Sequence, residues 1–200
     1  MTRKIGILLY PDVEVLDFAG PYEVFTCATR VARLQNPQAP APFEVCTIAA
    51  TPGPIRARAG LSVLPDHTLD GHAPLDVLLV PGGVVDKELS HAALIDWIRH
   101  TARKAELTAS VCTGSLMLAQ AGLLDGRPAT THWDDIALLQ GYPGVQVHPE
   151  KRWTDDGDIV TSGGISAGID MSLYLVQRFA GPALAQATAH RMEYAWNAMA

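Results

Sequence analysis

Cys112 is the residue whose surroundings best fit nucleophilic chemistry. Residues 107–111 are apolar enough for a buried strand, Gly114 and Ser115 supply a tight turn, and helical spacing then runs to a glycine at Gly122. A cysteine at such a strand-to-helix elbow points out of the sheet, and the positive end of the helix favours a thiolate. We therefore predict a reactive cysteine with a lowered pKa. The alternative is a small buried apolar residue.

A cysteine nucleophile also needs a proton carrier, and Asp17 is the best acidic candidate. It lies in the otherwise apolar stretch 15–21, just past the first predicted strand. A carboxyl group in apolar surroundings beside a thiolate has a raised pKa, so Asp17 is predicted to be protonated and to donate to the sulfur. Alternatively, Asp17 caps a helix near Gly20-Pro21. The rival acids are Glu14, expected to be solvated, and Glu23, one or two helical turns beyond Asp17.

Donors for the charge that develops on the target are predicted at Gly82 and Gly83, where no Cβ blocks a ligand. With the N–H of Thr113, one of them would form an oxyanion cradle. The alternative is an ordinary glycine turn. The hydroxyl of Thr113 can orient substrate or water but cannot act as a strong general base. His132 is predicted either to approach Cys112 as a base or supporting partner, or to be structural.

The remaining polar motifs do not predict a metal or phosphate site. Six further histidines lie in predicted loops or on polar helix faces, and no spacing indicates metal ligands, so we expect no metal. The glycine-rich segment 162–170 lacks the lysine of a P-loop and the spacing of a dinucleotide fingerprint. Close packing of a helix against the sheet, or against a partner subunit, is the better interpretation.

The elements that position these residues alternate between strand and helix almost throughout. Strands are predicted at 5–10, 43–49, 55–57, 62–65, 76–80, 107–111, 129–132, 145–148 and 158–161, and helices at 14–29 (interrupted near Gly20-Pro21), 92–104, 116–122, 136–139, 165–179 and 182–196, with a surface loop at 34–42. This order predicts an α/β fold with a mostly parallel sheet between helices, and sites beyond the carboxyl ends of the strands. Asp17, the Gly82-Gly83 pair and Cys112 each follow such an end.

Composition narrows the class of protein further. The 200 residues fit one domain, 1–200, and the formal charge of −6 provides no basic surface for nucleic acid or an anionic membrane. No apolar run is long enough to cross a bilayer, and the first residues do not resemble a signal peptide. The three cysteines form neither a metal motif nor a disulfide framework, which favours a reducing cytoplasm.

Several segments together resemble the ThiJ/PfpI family of the class I glutamine amidotransferase-like superfamily, over most of the chain. They are 16–21, 76–83, 110–116, 121–127, 129–133 and 163–170. The cysteine elbow and the last three segments are specific in combination, whereas Pro-Gly-Gly alone is weak. The chain departs from the family in a proline-rich insertion between Arg30 and Pro42, which could reshape the pocket mouth or the dimer, and in its early end at Ala200.

The resemblance implies a flavodoxin-like three-layer sandwich, a homodimer, and a cofactor-free hydration of a small-molecule isocyanide to an N-substituted formamide. Cys112 would attack the isocyanide carbon to form a thioimidate, with Asp17 as general acid and base. Thr113 and the Gly83 N–H would orient substrate and water. The alternatives within the superfamily are a stress or redox sensor, a glyoxalase or deglycase, and a ligand-sensing domain related to helix-turn-helix regulators. Because the chain stops before any such DNA-binding region, we expect no direct nucleic-acid binding.

Overall fold

A seven-stranded sheet forms the centre of the computed structural model, which describes residues 1–198. The described strands are β1 (Arg3–Leu9), β2 (Phe43–Ala49), β3 (Ile55–Arg56), β4 (Ser62–Val63), β5 (His67–Thr68), β6 (Val77–Val80), β7 (Leu107–Val111), β8 (Pro128–Ala129), β9 (Gln146–Val147), β10 (Trp153–Asp155) and β11 (Ile159–Ser162). The central sheet has the order β10-β11-β7-β6-β1-β2-β5, and its neighbours are parallel except for β10 with β11. Strands β3 with β4 and β8 with β9 form two small separate sheets.

Helices surround this sheet and complete the predicted three-layer α/β sandwich. They are α1 (Val15–Gln35), α2 (Asp86–Leu89), α3 (Ala92–Ala102), α4 (Gly114–Gln120), α5 (Ile136–Gln140), α6 (Ser166–Ala180) and α7 (Pro182–Arg191), with 3₁₀ turns at Arg58–Gly60 and Trp133–Asp135. Helices α1, α6 and α7 pack on one another, while α4 packs on α3 and on β7. The order β2-β1-β6-β7-β11 is that of a flavodoxin-like sheet.

The central strands are buried from end to end, as expected for parallel strands covered on both faces. Every residue of β6 and β7 is buried, as is the apolar run 5–9 of β1. Successive strands of this sheet are added on one side of β1 up to β5 and on the other side from β6 onward, and the crevice beyond the carboxyl ends of β1 and β6 is the usual ligand site. The backbone joins the two loops there, since Val13 and Gly83 form a bridge.

Helix α1 differs from its prediction in two respects. It runs without interruption through Pro21 and ends at Gln35 rather than near residue 29. Proline removes one helical hydrogen bond, but one face of α1 buries large side chains against α6 and α7, and such packing outweighs local propensity. The predicted loop 34–42 is therefore shorter, and the insertion between Arg30 and Pro42 begins as helix.

Other differences from prediction lie at the ends of the sheet and of the chain. Strand β10 was missed, although the Asp156-Gly157 pair that joins it to β11 is a hairpin signal, with Gly157 at φ 83°. The short elements β5 and α2 were also missed, and α7 ends at Arg191 rather than at residue 196. The predicted domain 1–200 includes residues 199 and 200, which lie outside the described residues. Within residues 1–198 no helix is long and apolar enough to traverse a bilayer.

Candidate active site

Cys112 lies at the elbow between β7 and α4 in a left-handed backbone conformation, with φ 56°. Such a conformation costs about 1–3 kcal/mol in a residue other than glycine, so its surroundings must hold it in place. Its carbonyl accepts hydrogen bonds from the hydroxyls of Thr131, at 2.9 Å, and Ser115, at 3.1 Å. Its N–H donates to the carbonyl of Ser162 at 3.1 Å. The predicted strand-to-helix elbow is therefore present, and three chain segments fix it.

Two glycines allow the loops after β6 and β7 to touch at this elbow. A Cβ on Gly114 would lie 2.1 Å from the carbonyl oxygen of Val80, and a Cβ on Gly82 would lie 2.6 Å from the backbone nitrogen of Thr113. Distances this short exclude any side chain at either position. The two glycines therefore bring the Pro-Gly-Gly segment directly against the cysteine.

Asp17 is fully buried beside this elbow, with both carboxylate oxygens engaged. Its Oδ2 accepts the N–H of Gly82 at 3.1 Å, and its Oδ1 accepts the N–H of Ile165 at 3.0 Å. The alternative of a helix cap near Gly20-Pro21 is wrong, because α1 begins at Val15 with Glu14 as its N-cap. Asp17 instead joins the loop after β6 to the start of α6.

Burial raises the pKa of Asp17 to about 6, against the lowering effect of its two backbone hydrogen bonds and of a hydrogen bond with Cys112. The predicted rise is confirmed. A pKa this close to neutral lets Asp17 exchange a proton near physiological pH, and its role as the proton donor to the sulfur stays a prediction.

The pKa of Cys112 moves in the opposite direction from the prediction. Burial and the nearby Asp17 carboxylate raise it to about 12, although a hydrogen bond from the N–H of Thr113 lowers it. The direction is upward because Cys112 is only 8% exposed and α4, at seven residues, is a short helix. Cys112 and Asp17 are therefore two buried acidic groups whose titrations are coupled, and the thiolate stays a prediction.

The predicted oxyanion donors are engaged within the protein. The N–H of Gly82 is bonded to Asp17, and the N–H of Gly83 donates to Oγ1 of Thr113 at 2.9 Å. The Thr113 hydroxyl in turn donates to the carbonyl of Gly83 at 2.9 Å. These bonds hold the two loops together, and substrate binding by Gly82, Gly83 or Thr113 stays a prediction.

A cavity of about 330 Å³ opens in front of Cys112. It is lined by residues from six regions of the chain: Glu14, Arg58, 83–86, 112–113 with Leu116, His132 with 134–135 and Leu138, and Ile165. Glu14 was expected in solvent, but it lines the cavity and pairs with Arg58 at 3.2 Å. Glu23 is not a rival acid, since it is exposed and pairs with Arg30 at 2.6 Å.

His132 lines the same cavity, but its contacts are those of a structural residue. Its Nδ1 accepts the N–H of Asp134 at 3.3 Å and lies 3.5 Å from Oδ2 of Asp135. Its ring covers Gly164, where a Cβ would lie 2.2 Å from Cδ2 of the histidine. A role for His132 beside the sulfur stays a prediction.

Ile165 is a residue that sequence reasoning missed. Its backbone has φ 56° and ψ −100°, a conformation that β-branched residues rarely adopt, and its N–H holds Asp17. The preceding Gly163-Gly164 pair was taken only as a sign of close packing. The cavity residues Arg58 and Asp135 gave no signal in the sequence. Among the described residues no group of three His, Cys, Asp or Glu side chains could hold a metal.

Comparison with known proteins places this site in a family. The model of the DJ-1/PfpI family matches residues 3–178. The chain is 38% identical over 196 residues to isonitrile hydratase of Pseudomonas putida, an alignment that covers 98% of this chain and 80% of that protein. It is 35% identical over 187 residues to the HTH-type transcriptional regulator CdhR of Pseudomonas aeruginosa, covering 92% of this chain. The chain spans about half the length of that regulator, 53%.

Solved structures agree with this placement. A ThiJ/PfpI family protein from Pseudomonas syringae superposes with a TM-score of 0.84 at 28% identity, over 98% of this chain and 77% of that one. DJ-1beta of Drosophila melanogaster shares the fold, with a TM-score of 0.82 at 20% identity over 98% of this chain and all of that one. The matched motifs, the elbow at Cys112 and the whole-chain similarity agree, and the chain belongs to the DJ-1/PfpI family.

Proposed function

We propose that this chain hydrates isocyanides to N-substituted formamides, with Cys112 as nucleophile and Asp17 as the proton carrier. The similarity to isonitrile hydratase supports the reaction class. The observation on which the proposal rests is the buried Asp17–Cys112 pair, whose carboxylate is fixed by two backbone N–H groups. A fixed carboxylate of raised pKa beside a thiol can both take and return a proton near neutral pH.

The first half of the reaction forms a thioimidate. The sulfur of Cys112 attacks the terminal carbon of the isocyanide, while Asp17 takes the thiol proton. The carbon–sulfur bond leaves an electron pair on that carbon, and Asp17 returns the proton there. The product is a Cys–S–CH=N–R thioimidate beside an ionised Asp17, so no oxidant, reductant or cofactor enters the step.

The second half releases the formamide. Asp17 takes a proton from water as the oxygen attacks the thioimidate carbon, and passes that proton to the nitrogen. The resulting hydroxyl then gives its proton to Asp17 as the carbonyl forms and the Cys112 thiolate leaves. The proton returns from Asp17 to the sulfur, which restores the resting pair. One carboxylate thus serves every transfer because it can shuttle a single proton.

The test is turnover of para-nitrophenyl isocyanide, followed by absorbance and by identification of the formamide. Loss of turnover is expected in Cys112→Ala and in Asp17→Asn, and the thioimidate mass is expected on the cysteine of the wild type. Cys46→Ala is the matched control, since Cys46 is a half-buried cysteine on β2 whose pKa burial raises to about 11. Turnover retained in Cys112→Ala would overturn covalent catalysis, and a folded wild type without turnover would overturn the reaction class.

The similarity to CdhR favours a ligand-sensing domain as the second candidate. A sensing domain binds its ligand stoichiometrically and shows no repeated turnover, so the same assay separates the two. The redox-sensor alternative predicts a stoichiometric reaction of Cys112 with peroxide and no repeated turnover. Methylglyoxal as substrate tests the glyoxalase or deglycase alternative.

We also propose a homodimer that acts in the cytoplasm. Large apolar side chains are exposed beside the cavity mouth, among them Trp133 at 76% and Leu138 at 59%. Apolar side chains grouped in this way are typical of surfaces that another chain covers. Light scattering measures the mass directly: a mass of about twice 21.4 kDa supports the dimer, and a monomer at micromolar concentration contradicts it.

A further inference from the structure

The cavity in front of Cys112 carries more acidic than basic side chains. Among the described residues that line it are four carboxylates and one arginine: Glu14, Asp86, Asp134, Asp135 and Arg58. The only other side chain of the lining that can become charged near neutral pH, apart from the cysteine, is His132. Any substituent placed in this cavity therefore meets an excess of negative over positive charge.

Part of this charge is neutralised locally. Glu14 pairs with Arg58 at 3.2 Å. Asp135 lies 3.5 Å from His132; burial raises the pKa of Asp135, and the nearby His132 and Arg58 oppose that rise. Glu14 and Arg58 thus form an ion pair on one side of the cavity, with Asp135 and His132 beside them.

Asp86 and Asp134 make up the unbalanced part. Both are exposed, and within residues 1–198 neither carboxylate forms a hydrogen bond or an ion pair. Asp86 begins α2, and Asp134 lies in the 3₁₀ turn after His132, so the two approach the cavity from different segments. Two unpaired negative charges therefore line the entrance to the nucleophile.

We propose that these two carboxylates make the site select isocyanides with a cationic substituent over those with an anionic one. The inference rests on the proposed hydration, in which the isocyanide carbon meets Cys112. The substituent on nitrogen must then occupy the remaining cavity, where Leu116, Leu138 and Ile165 line the apolar part. The preferred substrate class is an alkyl isocyanide that ends in an ammonium group, and Asp86 and Asp134 are its specificity-determining residues.

The size of the effect follows from Coulomb's law. Across roughly 8 Å of water-like medium, one carboxylate changes the ratio of cationic to anionic substrate by about fivefold at low salt. Two such charges acting independently therefore give a preference of about 25-fold. Because the interaction is screened, the preference should shrink strongly between 0.02 and about 0.5 M salt.

The test compares three isocyanides on a two-carbon linker: trimethylammonioethyl and 3,3-dimethylbutyl isocyanide, which match in shape, and the anionic carboxyethyl isocyanide. The readout is the ratio of kcat/KM for the cationic and the anionic substrate. We expect Asp134→Asn and Asp86→Asn each to lower this ratio about fivefold at low salt. Glu44→Gln is the matched control, since Glu44 is an exposed carboxylate on β2 outside the cavity lining, and its ratio should equal that of the wild type.

A second measurement does not depend on hydration. Methanethiosulfonates with a trimethylammonioethyl or a sulfonatoethyl group R transfer their RS unit to a thiol, so the mixed disulfide Cys–S–S–R forms while methanesulfinate and the thiol proton are released; mass spectrometry reports the rate at Cys112. The cationic reagent should react faster, and Asp134→Asn should reduce its advantage.

The two measurements separate the possible failures. The charge selection alone is overturned if the wild type hydrates the neutral isocyanide but its kcat/KM ratio for the cationic and the anionic substrate equals that of Asp134→Asn and Asp86→Asn. Absence of any isocyanide turnover, with the cationic reagent still preferred at Cys112, overturns the hydratase and leaves the charge selection of the cavity standing. Equal rates for the two thiol reagents, unchanged by salt, overturn the charge selection whatever the reaction is.

Discussion

The buried carboxyl of Asp17 should make the protein lose stability as the pH rises through 6. Its pKa is about 6 in the folded chain, against the ordinary 3.8 expected when unfolded. Between these values the folded state holds a proton that the unfolded chain has released. This contribution is fully present below pH 3.8 and is lost as the pH rises through the folded pKa. A shift of about two units corresponds to about 3 kcal/mol of unfolding free energy.

The measurement compares the wild type with Asp17→Asn by urea denaturation at intervals from pH 4 to 8. Asparagine does not titrate. Its side-chain NH2 group cannot accept one of the two backbone N–H hydrogen bonds, and this loss lowers the unfolding free energy by the same amount at every pH. We therefore expect the stability of the wild type relative to the variant to fall by about 2.5 kcal/mol from pH 4 to 8, with the change levelling off above pH 6. Asp70→Asn, at an exposed aspartate, provides the control.

A constant difference between wild type and Asp17→Asn from pH 4 to 8 would refute this reasoning. A difference that grows in favour of the wild type with rising pH would refute it more strongly. That result would mean that the two backbone hydrogen bonds outweigh burial, so the pKa of Asp17 would lie below its ordinary value.

The remaining predictions concern the same site and one ion pair beside it. The kcat/KM for an isocyanide should fall below an apparent pKa of about 6, because proton transfer from the thiol needs ionised Asp17, and a profile flat down to pH 4.5 contradicts this. Gly82→Ala should lower kcat/KM at least about tenfold, since its Cβ would meet the Cβ of Cys112 and the backbone nitrogen of Thr113; unchanged kinetics contradict the close approach. Arg152→Met should lower the unfolding free energy by about 3 kcal/mol, because it leaves the buried Asp170 carboxylate without its partner. Arg178→Met, which breaks a more exposed pair with Asp155, should cost less than about 1 kcal/mol, and equal losses contradict this reasoning.

The fold and the elbow could be predicted because both have local signals. Strands β2 and β7 were predicted residue for residue, since both are short segments rich in apolar and β-branched residues. The residues after β1, β6 and β7 converge because the carboxyl ends of parallel strands share one edge. Asp17, Gly82 and Cys112 therefore meet as expected. Helix α1 was less predictable because its continuity through Pro21 depends on tertiary packing.

The electrostatics of the site could not be predicted in the same way. The pKa of Cys112 depends on how deeply the elbow is buried and on a carboxylate 95 positions earlier in the chain. The N–H of Ile165 that fixes Asp17 comes from 148 positions later. Hydrogen bonds between such distant segments have no local pattern, so the glycine N–H groups were predicted to be free for substrate when they are not.

Asp17 shows why stability and chemistry conflict at this site. Its burial costs folding free energy at neutral pH, and Cys112 and Ile165, which lie on either side of it, both hold strained backbone conformations. The same burial raises the pKa of the carboxyl to about 6, where it can take and return a proton with little driving force. Two backbone N–H groups fix the carboxylate, so it needs no reorganisation when charge moves to it. Asp17→Asn removes the buried ionisable group and with it the loss of stability above pH 6. The same substitution removes the proton carrier, so the variant should lose turnover.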